Sequence, residues 1–261
     1  MKYMGSKARI AKHILPIILK DRKEGQWYVE PFVGGANMID KVDGNRIGAD
    51  VNPYLIAILQ HCEQQKSHEL ADKISEDEYN LIKNNKDKYS PVEVAHCGFN
   101  ATFGAKWFGG YARPRKGNGY DRDVICGKNN LVRQMPLLKG VEFKNCSYLE
   151  LSIPPQSIIY CDPPYANTTK YKDDFDHDKF WQWCRDKVKE GHQVFISEYN
   201  APDDFVCVWQ QELNVSVAKS GKHKKLLKNS LSTKVNLIKN NTKRYSPPSS
   251  EGFILSIIHL I

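Results

Sequence analysis

No acidic residue occurs between Leu213 and Ser250, although lysines crowd that stretch. Over the whole chain 38 Lys and Arg face 30 Asp and Glu, a formal net charge of +8. Such an imbalance points to a polyanionic partner and carries no information about fold. None of the seven cysteines forms a C-x-x-C pair. That excludes the common zinc and dithiol motifs, and no metal is expected. Scattered unpaired cysteines suit a reducing compartment, so a cytoplasmic location is expected. There is no signal-like start and no apolar run long enough to span a bilayer, so no membrane partner is expected. No internal repeat is visible, which argues against a solenoid. A length of 261 residues suffices for one large α/β domain with a modest insertion or second domain.

What is present alternates between strand and helix signals. Residues 8–20 read as an amphipathic helix with Ser6 as N-cap and Pro16 as a kink. Residues 27–29 read as a strand that leads into Glu30-Pro31-Phe32-Val33-Gly34-Gly35-Ala36-Asn37. Two glycines between a strand and a helix would let a ligand approach backbone N–H groups at a helix start. The pattern is not G-x-G-x-x-G, so a dinucleotide is not implied. A small ligand bearing a carboxylate fits better. Residues 46–50 form a second strand that ends in Asp50, with Asn52 as N-cap and Pro53 at the first helical position. An acid at that strand end is placed to accept ribose hydroxyls. It can equally be a helix-terminus charge.

From about residue 60 to residue 138 the strands disappear. Ser75-Glu76-Asp77-Glu78 is a capping-box signature, and Ser90-Pro91 opens a further helix. Residues 103–111 follow, rich in glycine and aromatics, then Arg113, Arg115 and Lys116. A helix over 122–138 adds Lys128 and Arg133. Basic residues interleaved with aromatics suit phosphate contacts and base stacking, so Lys106, Trp107, Tyr111, Arg113, Arg115, Lys116, Lys128 and Arg133 are the candidate DNA contacts. Phe108 or Tyr111 is placed to fill space beside an extruded base. The α/β pattern then resumes. Strands are expected at 141–145, 157–161 and 193–197, with a helix at 176–189. An antiparallel pair is expected from 205–213 and 215–218. Residues 219–228 read as a basic loop, 233–238 as a closing strand and 240–248 as a polar tail. The last apolar run, 253–261, is a possible edge strand.

The stretch around which these parts are organised is Asp162-Pro163-Pro164-Tyr165. It follows a short β-branched run, and two prolines force the chain out of the sheet. A carboxylate, a proline-fixed carbonyl and an aromatic ring thus stand at the carboxyl end of a strand, where ligands bind in open α/β sheets. This set suits methylation of an exocyclic amine. Asp162 and the Pro163 carbonyl can each accept one amine N–H, which frees the nitrogen lone pair. Tyr165 offers a face for a flipped base.

Taken in order, Tyr3-x-Gly5-Ser6-Lys7, the turn at 30–36, Asp50-Val51-Asn52, the insertion and Asp162–Tyr165 resemble the Dam-like DNA adenine-N6 methyltransferases of small phage and prophage type. The resemblance runs to about Ile238. It implies a Rossmann-like α/β fold with a seven-stranded mixed sheet, residues 1–60 and 139–261 forming the catalytic domain and 61–138 the target-recognition region. It implies S-adenosylmethionine as cofactor. Its contacts would be Tyr3, Lys7, Pro31, Phe32, Gly34, Ala36, Asp50, Asn52, Ser147, Tyr148 and Asp162, with Asp162, Pro163, Pro164 and Tyr165 at the target adenine. Double-stranded DNA is the expected partner, with a restriction nuclease on another chain and a monomer or weak dimer as further expectations. Two departures stand out. Cys146 occupies a position where many relatives carry an acid. The longer arginine-containing hairpin of the GATC-reading enzymes is absent, so that specificity does not carry over.

Other readings remain. A cytosine-N4 methyltransferase uses the same amine chemistry but more often carries Ser or Thr before Pro-Pro. Enzymes acting on protein glutamine favour Asn there, and an RNA substrate suits the basic insertion less well than a duplex. A DNA-binding protein without catalysis would not need Asp162, Asp50 and Lys7 together.

Overall fold

The computed structural model describes residues 1–113, 122–165, 175–199, 201–213 and 253–260. Arg115, Lys116, the basic loop at 219–228, the arm at 215–218, the strand at 233–238 and the tail at 240–248 lie outside the described residues. Seven strands form a mixed sheet: β1 Tyr28–Glu30, β2 Arg46–Asp50, β3 Val141–Asn145, β4 Ile158–Cys161, β5 Gln193–Glu198, β6 Phe205–Leu213 and β7 Phe253–Leu260. Their order is β3-β2-β1-β4-β5-β7-β6. The fold is therefore the α/β, Rossmann-like class. The chain divides into two compact units, residues 1–159 and 160–261.

In the first unit β1 runs parallel to β2 and to β4, with Val29 opposite Ile47 and Ile159, and β2 runs parallel to β3. Tyr28, Val29, Ile47, Ile158 and Ile159 are all buried. Parallel strands covered on both faces read as continuous apolar runs, which is why β4 was legible as a strand. Helix α1 Ala11–Ile18 starts later than the expected 8–20, and its N-cap is Ile10 with no side-chain bond. Ser6 is not the cap. Its Oγ accepts from the Ala8 N–H at 3.3 Å, closing a local turn two residues on instead.

Helix α2 Pro53–Glu63 begins as the sequence predicts. Asn52 Oδ1 accepts from the Tyr54 and Leu55 amides at 3.0 and 3.2 Å, and Pro53 holds the first position. Helices α3 Glu76–Asn84, α4 Pro91–Asn100 and α5 Arg122–Leu138 make up the insertion. Both α3 and α4 start with a complete capping box, Ser75 with Glu78 and Ser90 with Glu93. Each such cap is worth about 1 kcal/mol. The three helices enclose their own apolar cluster, with Ile74, Tyr79, Ile82, Val94, Cys97, Phe108 and Val124 at its heart. Helix α5 is anchored at its far end by the buried Arg46. That guanidinium donates to the carbonyls of Leu137 at 2.7 Å and Lys139 at 2.8 Å. It supplies partners for carbonyls that a helix end leaves unpaired.

In the second unit α6 His177–Lys189 is capped by Asp176, whose carboxylate accepts from the Lys179 amide at 2.9 Å. Phe180, Trp181, Trp183 and Cys184 are buried, and Val188 is half-buried. The expected pairing of 205–213 with 215–218 involves an arm outside the described residues. Among the described residues β6 pairs antiparallel with β7 along its whole length, from Phe205 opposite Leu260 to Leu213 opposite Phe253. β7 also pairs antiparallel with β5. The terminal apolar run is thus an interior strand and not an edge. Its Ser256, Ile257 and Ile258 are buried accordingly.

Candidate active site

In the first unit a group of candidate residues is assembled around the turn that follows β1. Asp50 ends β2, and its two carboxylate oxygens accept from the Asn52 amide at 3.0 Å and the Gly34 amide at 3.4 Å. Burial pushes this carboxyl above the usual aspartate range, and the amides of Asn52, Gly34 and Val51 pull it back. The Asn145 side chain holds the Asp50 carbonyl at 2.9 Å and so fixes the strand end. Phe32 and Tyr148 face each other with ring centroids 5.3 Å apart. Lys7 is buried, and its Nζ donates to the Gly5 carbonyl at 3.0 Å.

The expected role of the glycines is corrected. No α-helix starts at the turn; only a single 3-10 turn, Ile39–Lys41, follows it. The space above the glycines is taken by Tyr3. A Cβ on Gly34 would lie 2.9 Å from the Tyr3 ring, and one on Gly35 would lie 2.6 Å from Tyr3 Cβ. The glycines therefore admit Tyr3, and the Gly34 N–H is committed to Asp50. Tyr3 in turn lies 5.9 Å from Phe99 on α4, which links the turn to the insertion. Ala36 adopts φ +55°, unusual for a residue with a Cβ. Pro31 and Phe32 continue directly from β1.

Ser147 and Tyr148 follow β3. The Ser147 hydroxyl accepts from the Leu149 amide at 3.1 Å, so it closes a local turn. The Asn52 side-chain oxygen is occupied as the α2 cap. Cys146, the departure noted from the sequence, is half-buried, and burial followed by nearby Glu150 pushes its thiol up. Taken as a donor set, these residues fit S-adenosylmethionine. The partly exposed Asp50 carboxylate suits ribose hydroxyls, and the Phe32–Tyr148 pair suits an adenine ring.

A separate group of candidate residues lies in the second unit. Asp162 leaves β4 and is partly exposed, while Pro163 is buried. Tyr165 Oη donates to Asp162 Oδ1 at 2.6 Å and lies 3.3 Å from the hydroxyl of Ser197 on β5. The Tyr165 ring sits 4.6 Å from that of Tyr199. Burial, and then the Asp162 charge, push the Tyr165 phenol far up, so it keeps its proton across the working pH range. The turn is thus a carboxylate steadied by a phenol three residues on. Ser197 and Tyr199 escaped the sequence reading. Their one trace was a strand at 193–197 that ended beside a tyrosine.

The candidate DNA contacts divide by environment. Trp107 and Tyr111 are half-buried and pack on the insertion cluster. Trp107 stacks on Tyr54 at 5.3 Å and meets Phe99 at 4.6 Å, and Tyr111 Oη donates to the Ile74 carbonyl at 2.8 Å. Phe108 is buried as well. The aromatic density assigned to base stacking is therefore used for packing, because a small helical insertion needs its own core. Phe103 alone among these rings is fully displayed, at 78 % exposure. Arg113 is exposed and forks onto Glu76, its Nε 3.0 Å from Oε2. Lys128 pairs with Asp72 at 3.0 Å. Lys106 is half-buried, and Arg133 is exposed. A cleft of about 1240 Å³ runs between the first residues and the insertion, lined among others by Lys2, Tyr3, Phe103, Arg113, Arg133 and Gln134.

Residues 3–106 match the model of a family described as D12 class N6 adenine-specific DNA methyltransferase. The matched stretch contains Tyr3, Lys7, the turn after β1, Asp50, α3 and α4. It ends at Lys106, before the Asp162 turn. No curated protein matches the chain.

Proposed function

We propose that the chain, whose residues 3–106 match the model of the D12 class of N6 adenine-specific DNA methyltransferases, methylates DNA adenine and uses S-adenosylmethionine on a flipped base at a specific site in duplex DNA. The observation that carries this reading is the strand-end carboxylate of Asp162 held by the Tyr165 hydroxyl. When bound, the cofactor supplies a sulfonium methyl group. Asp50 would hold its ribose, with Tyr3, Lys7, Phe32, Gly34, Ala36 and Tyr148 bordering the same pocket. Pro31, Asn52 and Ser147 would act through the backbone positions they fix.

A carboxylate has about four lone-pair positions, so Asp162 can accept from Tyr165 and from an adenine N6–H together. The Pro163 carbonyl would take the second N6–H. With both amine hydrogens held, the nitrogen lone pair would be drawn out of conjugation with the ring and become available for methylation. Pro164 fixes the turn, and the Tyr165 ring supplies the stacking face. Double-stranded DNA would be held by the basic insertion, through Arg113, Arg133 and Lys128 among the described residues, with Arg115 and Lys116 adjoining. Unmethylated host or phage DNA in a cytoplasm is the natural substrate. A nuclease partner would be a separate chain, and a monomer suffices for the reaction.

The test is direct. The protein is incubated with unmethylated duplex DNA and S-adenosylmethionine, and modified bases are mapped by single-molecule sequencing. N6-methyladenine in one sequence context is expected. N4-methylcytosine would transfer the reading to the other amine, and unmodified DNA would overturn it.

A further inference from the structure

We propose that Gln134 is a positioning residue that fixes the cofactor turn from the recognition helix, and so ties cofactor affinity to what α5 holds. The inference rests on the cofactor reading above. Gln134 lies on α5 within the insertion, yet it is only 3 % exposed. Its side-chain amide nitrogen is within donating distance of three acceptors on the turn after β1. These are the Gly35 carbonyl at 3.2 Å, the Ala36 carbonyl at 3.0 Å and Asp40 Oδ2 at 2.8 Å. Its carbonyl oxygen accepts from the Met1 nitrogen. A buried amide with every group engaged stays where it is, because an unmade bond there costs the full desolvation penalty.

The turn needs this support. Ala36 sits at φ +55° without a glycine's freedom, and such backbone persists only where its surroundings over-determine it. Gly34, two residues earlier, donates to Asp50, so any shift of the turn moves the carboxylate assigned to the ribose. On the other side, Arg133 precedes Gln134 in the chain, is exposed, and lines the cleft with Cys126 and Asn130 of the same helix. The Arg46 guanidinium holds the far end of α5, so Arg133 and Gln134 lie just before a fixed point. Duplex bound along α5 therefore bears on the turn through Gln134, and linkage requires the effect to be reciprocal.

The test compares wild type with Gln134→Met and Gln134→Glu by calorimetry. The ligand is S-adenosylhomocysteine, which binds without turnover, and it is titrated with and without duplex DNA carrying the mapped site. Wild type is expected to bind it more tightly when DNA is present. Gln134→Met keeps length and loses the donors. Its dissociation constant without DNA should rise about tenfold or more. The effect of DNA on it should vanish, while DNA affinity without cofactor stays within about twofold. In turnover the loss should appear in KM for the cofactor more than in kcat. Gln134→Glu guards against a folding defect. Its carboxyl can donate only when protonated, so its disadvantage relative to wild type should shrink as pH is lowered, which packing alone would not produce. Equal affinities and an equal DNA effect in wild type and Gln134→Met would overturn the inference. So would a Gln134→Glu deficit independent of pH. Wild type that fails to bind S-adenosylhomocysteine at all would overturn the cofactor reading and this inference with it.

Discussion

At the scale of the residue, the site turns on how much of Asp162 remains for the substrate. One oxygen already accepts from Tyr165 at 2.6 Å. A hydrogen bond to a charged group contributes about 1.5–3 kcal/mol. Asp162→Ala should therefore leave a folded protein without methyl transfer, and retention of more than about a tenth of kcat would remove Asp162 from the reaction. Tyr165→Phe separates hydroxyl from ring. It keeps the ring and removes the hydroxyl's hold on the carboxylate, so kcat should fall by about tenfold to a hundredfold with little change in DNA affinity. Asp50 gives a pH test. Its folded pKa is raised by burial, so the fold favours its protonated form. That contribution to stability is complete below the unfolded pKa and is lost as pH rises through the folded one. On the proposed ribose contact, cofactor binding would run the other way, since the hydroxyls would donate to the carboxylate. Affinity should weaken on acidification at a pH above the ordinary aspartate value, and Asp50→Asn should flatten the profile of log Kd against pH. A wild-type profile that matches the variant's would reduce Asp50 to a helix-end charge. Asp162 and Asp50 could be singled out from the sequence because each follows a short strand and precedes prolines or a cap, which leave local marks. Ser197, Tyr199 and Gln134 leave none. Their partners lie 32 residues away for Ser197 and 98 for the Gln134 contact with Ala36, and no local period encodes such a meeting.

At the scale of the element, the insertion is held by caps at its helix starts and by aromatic packing between helices. Gly98 of α4 shows how tight that packing is. A Cβ there would lie 2.4 Å from the Trp107 ring and 2.7 Å from the Phe108 ring. Rigid rings cannot yield cheaply, so Gly98→Ala should cost about 1–3 kcal/mol despite the better helix propensity of alanine. Thermal melting followed by tryptophan fluorescence would read this, and an unchanged or raised Tm would show the rings to be mobile. His96 on the same helix is buried between the Ala71 carbonyl at 2.8 Å and Asn100 at 3.0 Å, and burial holds its pKa below the usual value. A depressed folded pKa contributes stability above the unfolded value that is lost as pH falls through the folded one. Nearby Lys128 adds to the depression and Asp72 opposes it. The helix starts at Asn52, Ser75, Ser90 and Asp176 were legible because capping residues act within one turn. The strand β3 was legible from its alternation of apolar and polar residues, Val141-Glu142-Phe143-Lys144. The partner of β6 was not, because an antiparallel neighbour can enter from any distance along the chain, and β7 arrives from residue 253. The helix expected after the glycine turn failed for a related reason: Tyr3, distant in sequence, takes the room above the turn.

At the scale of the whole molecule, the excess of positive charge must find phosphates while many of its carriers are already engaged. Arg113 forks onto Glu76, and Lys128 pairs with Asp72. The Arg113–Glu76 pair is exposed, and such pairs contribute little, whereas the Lys128 side chain is only 14 % exposed beside an exposed Asp72. Duplex DNA can therefore take Arg113 at small cost, and each phosphate contact then releases condensed counterions. Affinity should fall steeply with salt. Arg133 is exposed in the cleft with no acidic partner among the described residues. Its replacement by alanine should flatten the plot of log K against log salt by about one unit, alike on all sequences. Glu76→Gln makes the sharper test. It removes one negative charge and releases the Arg113 guanidinium, whose fork matches the guanine edge in the major groove. Binding should tighten at low salt, and the gain should shrink as salt rises. In the Glu76→Gln background, Arg113→Ala should then cost more than in wild type, because the arginine no longer has the carboxylate as a competitor. If Glu76→Gln and Arg133→Ala both leave affinity and salt slope untouched, the insertion does not hold the duplex. The lysine-rich stretch at 219–228 would then be the place to look for phosphate contacts.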